Sequence, residues 1–282
     1  MTLKQVLLKG MEILKNANIE APVVDSGAIL CQIVGCDRTF LYSHSDDIVD
    51  TDVKEKFFEL LYRRSSGMPI QYITGRQKFM SLEFEVGPEV LIPRQDTEIL
   101  VETVISICKR FSRAVKILDI GTGSGCIAIS LAYIINNCHI TATDISETAL
   151  NTACRNAIKH KVVEKIEFLR SNLFSGLKKI KFDIIVSNPP YIRQDEIKTL
   201  QKEVRDYEPV EALDGGIDGL SFFREITAAA AGYLKPHGLL VFEVGYGQAE
   251  AVVQLMQDDY NEIIVIKDLA GIDRVVAGEL KY

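Results

Sequence analysis

The chain of 282 residues is 47% hydrophobic and 25% charged, an ordinary soluble balance that leaves room for two domains. No run approaches the roughly 18 apolar residues that cross a bilayer, and the opening MTLKQVLLKGMEILKNA has neither the continuous apolar stretch nor the cleavage site of a secretory signal. A net charge of −7 counts against bare duplex nucleic acid as the main partner. Six cysteines without a CxxC pair, and four histidines at no ligand spacing, point to reduced thiols in a cytoplasmic protein with no metal site.

Leu3, Val6, Leu7, Gly10, Met11 and Leu14 recur at the spacing of one helix face, with Thr2 placed as an N-cap. Further helices are expected over about 22–35, opened by Pro22, and over 51–64, opened by Thr51 or Asp52. Residues 1–75 therefore read as a small helical bundle. The pattern then changes to KFMSLEFEV, where Phe79, Leu82, Phe84 and Val86 predict a β-hairpin inside a linker over 76–95.

From residue 115 onward, short apolar runs such as VKILDI, HITATDI, FDIIVSN and GLLVFEV alternate with helical segments. That alternation predicts an α/β domain over 96–282, a mostly parallel sheet covered on both faces. Between NEIIVIK and DRVVAGEL only a short LAGI segment intervenes, too short for a parallel crossover, so an antiparallel final pair is expected.

Asp119, Gly121, Gly123 and Gly125 form DIGTGSG at the end of the first strand of this sheet, where open α/β sheets bind ligands. A dinucleotide fingerprint requires G-x-G-x-x-G, whereas these glycines fall as G-x-G-x-G behind a carboxylate. The carboxylate would repel a pyrophosphate but suits the cationic aminopropyl end of S-adenosylmethionine. Asp144 closes the next strand in TATDIS, placed to receive ribose hydroxyls or to cap the helix that follows. Asn172 and Leu173, after the third strand, are placed to flank an adenine.

Asn188, Pro189, Pro190 and Tyr191 directly follow FDIIVS. The prolines stiffen the turn and leave carbonyls free to accept hydrogen bonds. An amide or aromatic amine is a weak nucleophile because its lone pair is delocalised. Two acceptors, the Asn188 side chain and the Pro189 carbonyl, can orient such a nitrogen toward a methyl donor while Tyr191 stacks on its plane. The same chemistry serves the exocyclic amine of a flipped adenine or cytosine, although the acidic N-terminal block offers no basic surface for nucleic acid. A binding module that retains only the cofactor fold is a second alternative.

DIGTGSG, TATDIS, IVSNPPYI, EPVEALDGGIDGL and DLAGIDR together resemble the N(5)-glutamine methyltransferase family that modifies class I peptide-chain release factors, over almost the whole chain. The resemblance implies a seven-stranded Rossmann-like class I methyltransferase domain with an antiparallel last strand, preceded by a helical domain that docks substrate. It implies S-adenosylmethionine as donor and S-adenosylhomocysteine as product, held by Asp119, Gly121, Thr122, Gly123, Ser124, Gly125 and Asp144 and bordered by Asn188. Asn188, Pro189, Pro190 and Tyr191 would hold the glutamine of a Gly-Gly-Gln loop. IPRQDTE at 92–98 looks like the version of the release-factor enzymes rather than that of enzymes acting on a ribosomal-protein glutamine, and Asn172 stands where relatives often carry an acid.

Overall fold

The computed structural model describes residues 1–281. Contacts divide the chain into two units. One comprises Met1–Arg76 with Gln201–Tyr207, the other Gln77–Leu200 with Glu208 to the C-terminus.

The first unit is helical: α1 (Leu3–Asn16), α2 (Pro22–Val34), α3 (Arg38–Ser43), α4 (Thr51–Ser65) and α5 (Ile70–Thr74). Thr2 and Gln5 form a reciprocal capping box at the start of α1, and Pro22 opens α2. The predicted apolar stripe is the buried one, with Val6 and Leu14 packed beside Ile29, Leu30, Phe57 and Leu61. Gly10 lies on that stripe because a Cβ there would stand 2.7 Å from the Phe57 ring. The short helices α3 and α5 escaped the sequence pattern, since one or two turns carry no readable period.

The hairpin forms from β1 (Arg76–Phe79) and β2 (Leu82–Glu85), joined by Met80 and Ser81 at φ 48° and 62°. Positive φ at both turn positions matches the right-handed twist of the strands. Then follow α6 (Thr97–Cys108), β3 (Val115–Ile120), α7 (Cys126–Ile134), β4 (Cys138–Asp144), α8 (Glu147–Lys159), β5 (Ile166–Arg170) and β6 (Phe182–Ser187). Next comes α9 (Lys202–Tyr207), which packs with the first unit: Arg64, buried on α4, bonds Asp25 and Glu203 at 2.7 Å each. The chain finishes with α10 (Ser221–Ala230), β7 (Leu234–Glu243), α11 (Ala249–Met256), β8 (Tyr260–Lys267) and β9 (Asp273–Leu280).

Seven strands form one sheet in the order β5-β4-β3-β6-β7-β9-β8, with β9 antiparallel to both neighbours and the pairs from β5 to β7 parallel. The expected antiparallel end of the sheet is present. Apolar clusters lie on both faces, one built on Leu100, Val104, Ile117, Ile129 and Val186, the other on Leu118, Ile185, Phe223, Phe242 and Val252. Successive strands run outward from β3 in both directions, so its carboxyl end is the switch point at which open α/β sheets bind ligands.

Candidate functional site

Ile120 and Ser187 are register partners on β3 and β6, and the Ser187 hydroxyl donates to the Ile120 carbonyl at 2.8 Å. Gly121 and Asn188 therefore leave neighbouring strands side by side. Gly121 and Gly123 take φ 75° and 55°, and a Cβ on either would project into open space. The loop thus presents bare backbone toward open space rather than toward protein. Gly125 has a different reason: a Cβ there would meet Ile129 at 2.7 Å and Ala153 at 3.0 Å, so it lets α7 and α8 close.

Asp119 is fully buried at the base of this loop, where Oδ2 accepts from the Thr122 hydroxyl at 2.7 Å while Oδ1 has no hydrogen-bond partner. Burial raises its carboxyl to about 7, only partly offset by Thr122. A buried carboxylate oxygen left open beneath a bare-backbone loop fits a cationic ligand group, and the predicted donor has one. The Ser124 hydroxyl, also buried, is likewise without a partner.

Asp144, at the end of β4, accepts from the Gly123 N–H through Oδ2 and from the Ser146 N–H through Oδ1, both at 2.9 Å. The N-cap of α8 is Ser146, whose hydroxyl accepts from Ala149 N–H. The capping alternative for Asp144 is thereby removed, and its carboxylate closes the glycine loop instead. Beyond β5, Asn172 is exposed and Leu173 is half-buried at φ 49°.

In the segment after β6, Asn188 Nδ2 donates to Thr97 Oγ1 at 3.2 Å. Asn188, Pro189, Tyr191, Leu91, Arg94 and Leu213 line a small pocket. The Tyr191 hydroxyl points to Glu243 Oε1 at 3.4 Å. Glu243 ends β7 and is 2% exposed; burial lifts its carboxyl to about 7.

Three glycines wrap the Tyr191 segment. A Cβ on Gly215 would fall 2.7 Å from Tyr191 Cα, one on Gly219 2.5 Å from the Tyr191 carbonyl, and one on Gly245 2.9 Å from the ring. Gln248 Nε2 donates to the Tyr191 carbonyl at 2.9 Å, and Ile192 N–H donates to the Leu213 carbonyl at 3.0 Å. IPRQDTE is held from two sides, by the Arg94–Glu208 pair at 2.5 Å and by Arg274, which bonds Asp96 at 2.8 Å and Asp268 at 3.0 Å. EPVEALDGGIDGL and DLAGIDR are thus the outer supports of NPPY. Sequence reasoning quoted these segments but assigned no role to Thr97, Arg94, Glu243 or Gln248. Glu243, an acid closing the apolar run LLVFE, carried the one signal that could have been read. Among the described residues, no group of three or more His, Cys, Asp or Glu is arranged to hold a metal ion.

The sheet order and strand-end loops define a class I methyltransferase, and residues 95–205 match the methyltransferase small domain family. The hMettl16 catalytic domain, solved in complex with MAT2A 3'UTR hairpin 6, shares this fold at a TM-score of 0.57 and 15% identity, covering 79% of this chain and 83% of that one. Residues 5–75 match the PrmC N-terminal domain. The release factor glutamine methyltransferase of Clostridium botulinum is 41% identical over 279 residues, 98% of each chain, and that of Fusobacterium nucleatum is 43% identical over 95% of this chain and 76% of its own. The chain belongs to the release factor glutamine methyltransferase family. No helix among the described residues is long and apolar enough to cross a membrane.

Proposed function

We propose that this enzyme transfers a methyl group from S-adenosylmethionine to the side-chain amide nitrogen of the glutamine in the Gly-Gly-Gln loop of class I release factors, in the cytoplasm and without a nucleic-acid substrate. The observation that carries this reading is the pairing of Ile120 with Ser187, which sets the glycine loop and Asn188 at adjacent strand ends. Cofactor cradle and acceptor clamp then share one opening.

When bound, the cofactor supplies an electrophilic methyl on a sulfonium. The chain's own residues do the rest. Asp119 would hold the cationic amino group and Asp144 the ribose hydroxyls, while Gly121, Thr122, Gly123, Ser124 and Gly125 allow close approach, and Asn172 with Leu173 border the adenine. Asn188 Oδ1 and the Pro189 carbonyl would accept the two N–H groups of the acceptor amide. That grip turns the nitrogen toward the methyl and favours the positive charge that develops on it. Pro190 stiffens the turn, and Tyr191 supplies a flat wall for the planar amide. Methylation itself acidifies the nitrogen, so the proton leaves after transfer and no strong base is required beforehand.

The test is mass spectrometry of a purified release factor after incubation with the enzyme and S-adenosylmethionine, with fragmentation to locate the mass gain. A single methyl on the Gly-Gly-Gln glutamine is the expected result. A methyl only on a ribosomal protein or on nucleic acid would overturn the acceptor while keeping the chemistry.

A further inference from the structure

The turn over 188–191 has little means of anchoring itself. Pro189 and Pro190 bring no main-chain N–H, and in the reading above the Pro189 carbonyl serves the acceptor. What holds the turn must therefore grip its far end, at Tyr191 and Ile192. Ile192 donates to the Leu213 carbonyl at 3.0 Å and accepts from the Gly215 N–H at 2.8 Å. The Tyr191 carbonyl is taken by a side chain 57 residues further on, that of Gln248.

The Gln248 carboxamide makes three bonds, all to main chain. Nε2 donates to the Tyr191 carbonyl at 2.9 Å and to the Gly219 carbonyl at 3.3 Å, while Oε1 accepts from the Gly245 N–H at 3.0 Å. Main-chain groups are one-way, a carbonyl only accepting and an N–H only donating, so these partners fix which end of the amide faces which. Gly245 also lies against the tyrosine, since a Cβ there would stand 2.9 Å from the Tyr191 ring. One carboxamide thus holds the Tyr191 main chain and, through Gly245, the surface on which its ring rests.

The place of Gln248 in its own helix does not explain these bonds. It is the N-cap of α11, where Ser, Thr, Asp or Asn would accept from the first helical N–H groups, yet its side chain makes no capping bond. Its polar end is committed instead to the main chain around Tyr191.

We propose that Gln248 is a positioning residue for methyl transfer, whose carboxamide locks the carbonyl and the ring plane of Tyr191 so that the planar acceptor amide is turned toward the donor. The inference rests on the reading of Tyr191 as the wall of the acceptor site. A misplacement of about 1 Å in groups that orient the reacting atoms costs on the order of 100-fold in rate.

The experiment compares wild type, Gln248→Met, Gln248→Glu, Tyr191→Ala and the double variant Tyr191→Ala with Gln248→Met. Methylation of a release factor is measured at saturating S-adenosylmethionine between about pH 5 and pH 8, with cofactor affinity by calorimetry and a thermal melt. Gln248→Met keeps the length of the side chain and removes all three bonds. It should lower kcat roughly 10- to 100-fold while cofactor affinity stays within about threefold of wild type. In the double variant the Met substitution should cost little beyond Tyr191→Ala, since residues that act as one unit are not additive.

Gln248→Glu separates positioning from bulk. A protonated carboxyl still donates one O–H to a carbonyl and still accepts from Gly245, whereas an ionised one turns an acceptor against the Tyr191 and Gly219 carbonyls. Those carbonyls disfavour the ionised form and so raise the pH at which it appears. The kcat of this variant, divided by that of wild type at the same pH, should therefore be highest at the acid end and fall at least about tenfold as pH rises and the carboxyl ionises.

A wild-type kcat in Gln248→Met overturns the proposal. So does a Glu-to-wild-type ratio that stays flat with pH, a loss of cofactor affinity as large as the loss of kcat, or a double variant whose losses multiply. If wild type puts no methyl on any glutamine amide, the underlying reading falls and this inference with it. An active wild type with any of those four results sinks the inference alone.

Discussion

The Asn156 carboxamide donates to the carbonyl of Ser124 at 2.9 Å, tying the helix α8 to the glycine loop. The same side chain accepts from Glu85 N–H at 2.7 Å and donates to the Glu85 carbonyl at 3.0 Å, so one fully buried amide joins the hairpin, α8 and the glycine loop. Asn156→Leu would leave a backbone N–H and two carbonyls without this partner. We expect a loss of about 2–4 kcal/mol in urea unfolding, with weaker S-adenosylmethionine binding, because Ser124 is no longer held.

The glycines of the loop should separate into two kinds. Gly121→Ala meets no atom, so its cost is the left-handed backbone alone, about 1–2 kcal/mol. Gly125→Ala adds a collision with Ile129 and with the Ala153 backbone to the same backbone cost, and should fall at least about 1–3 kcal/mol further. Thermal melts of the two variants should rank them in that order.

Cofactor affinity should depend on pH through Asp119. Burial raises its carboxyl to about 7, so in the free protein it binds a proton below that pH, and neutral Asp119 stabilises the apo fold as pH falls from about 7 toward its ordinary range. A cationic ligand group favours the ionised form, so binding near neutrality should release a proton. Affinity should weaken by up to roughly tenfold per pH unit below about 7. Calorimetry in buffers of different ionisation enthalpy checks the proton count, and Asp119→Asn should abolish this dependence along with much of the affinity.

Asp183 predicts the opposite slope for stability. It is 2% exposed on β6; burial pushes its carboxyl up, but Arg113, Lys235 at 2.8 Å and the Lys116 N–H at 2.8 Å outweigh that and hold it at about 2. A depressed carboxyl contributes stability above its ordinary range near 4 and loses it as pH falls from about 4 to 2. That loss should be on the order of 2 kcal/mol. Urea titrations across this window should show it, and Asp183→Asn should flatten it.

Much of the fold is written in local chemistry. Period-3.6 stripes in α1, the alternation of strands and helices after Val115, and the short turn between β8 and β9 each follow from backbone geometry that residues impose on near neighbours. DIGTGSG and NPPY were legible for the same reason, since they concentrate glycines and prolines whose restrictions act over a few residues. The very short helices α3 and α5 were missed because a turn or two has no period. Gln201 and α9 belong to the helical unit, and the Arg64–Glu203 pair that ties them there spans 139 residues of sequence, beyond any local pattern.

Sequence by itself determined the order of elements, the glycine loop, the Asn-Pro-Pro-Tyr turn and the family resemblance, because these depend on residue type and spacing along the chain. Only the tertiary structure decided that Ser146, not Asp144, caps α8, that Asn188 bonds Thr97 and that Tyr191 reaches Glu243. These residues come from the start of α6, the segment after β6 and the end of β7. A hydrogen bond acts over about 3 Å, and no local pattern encodes which distant residues will lie within that reach.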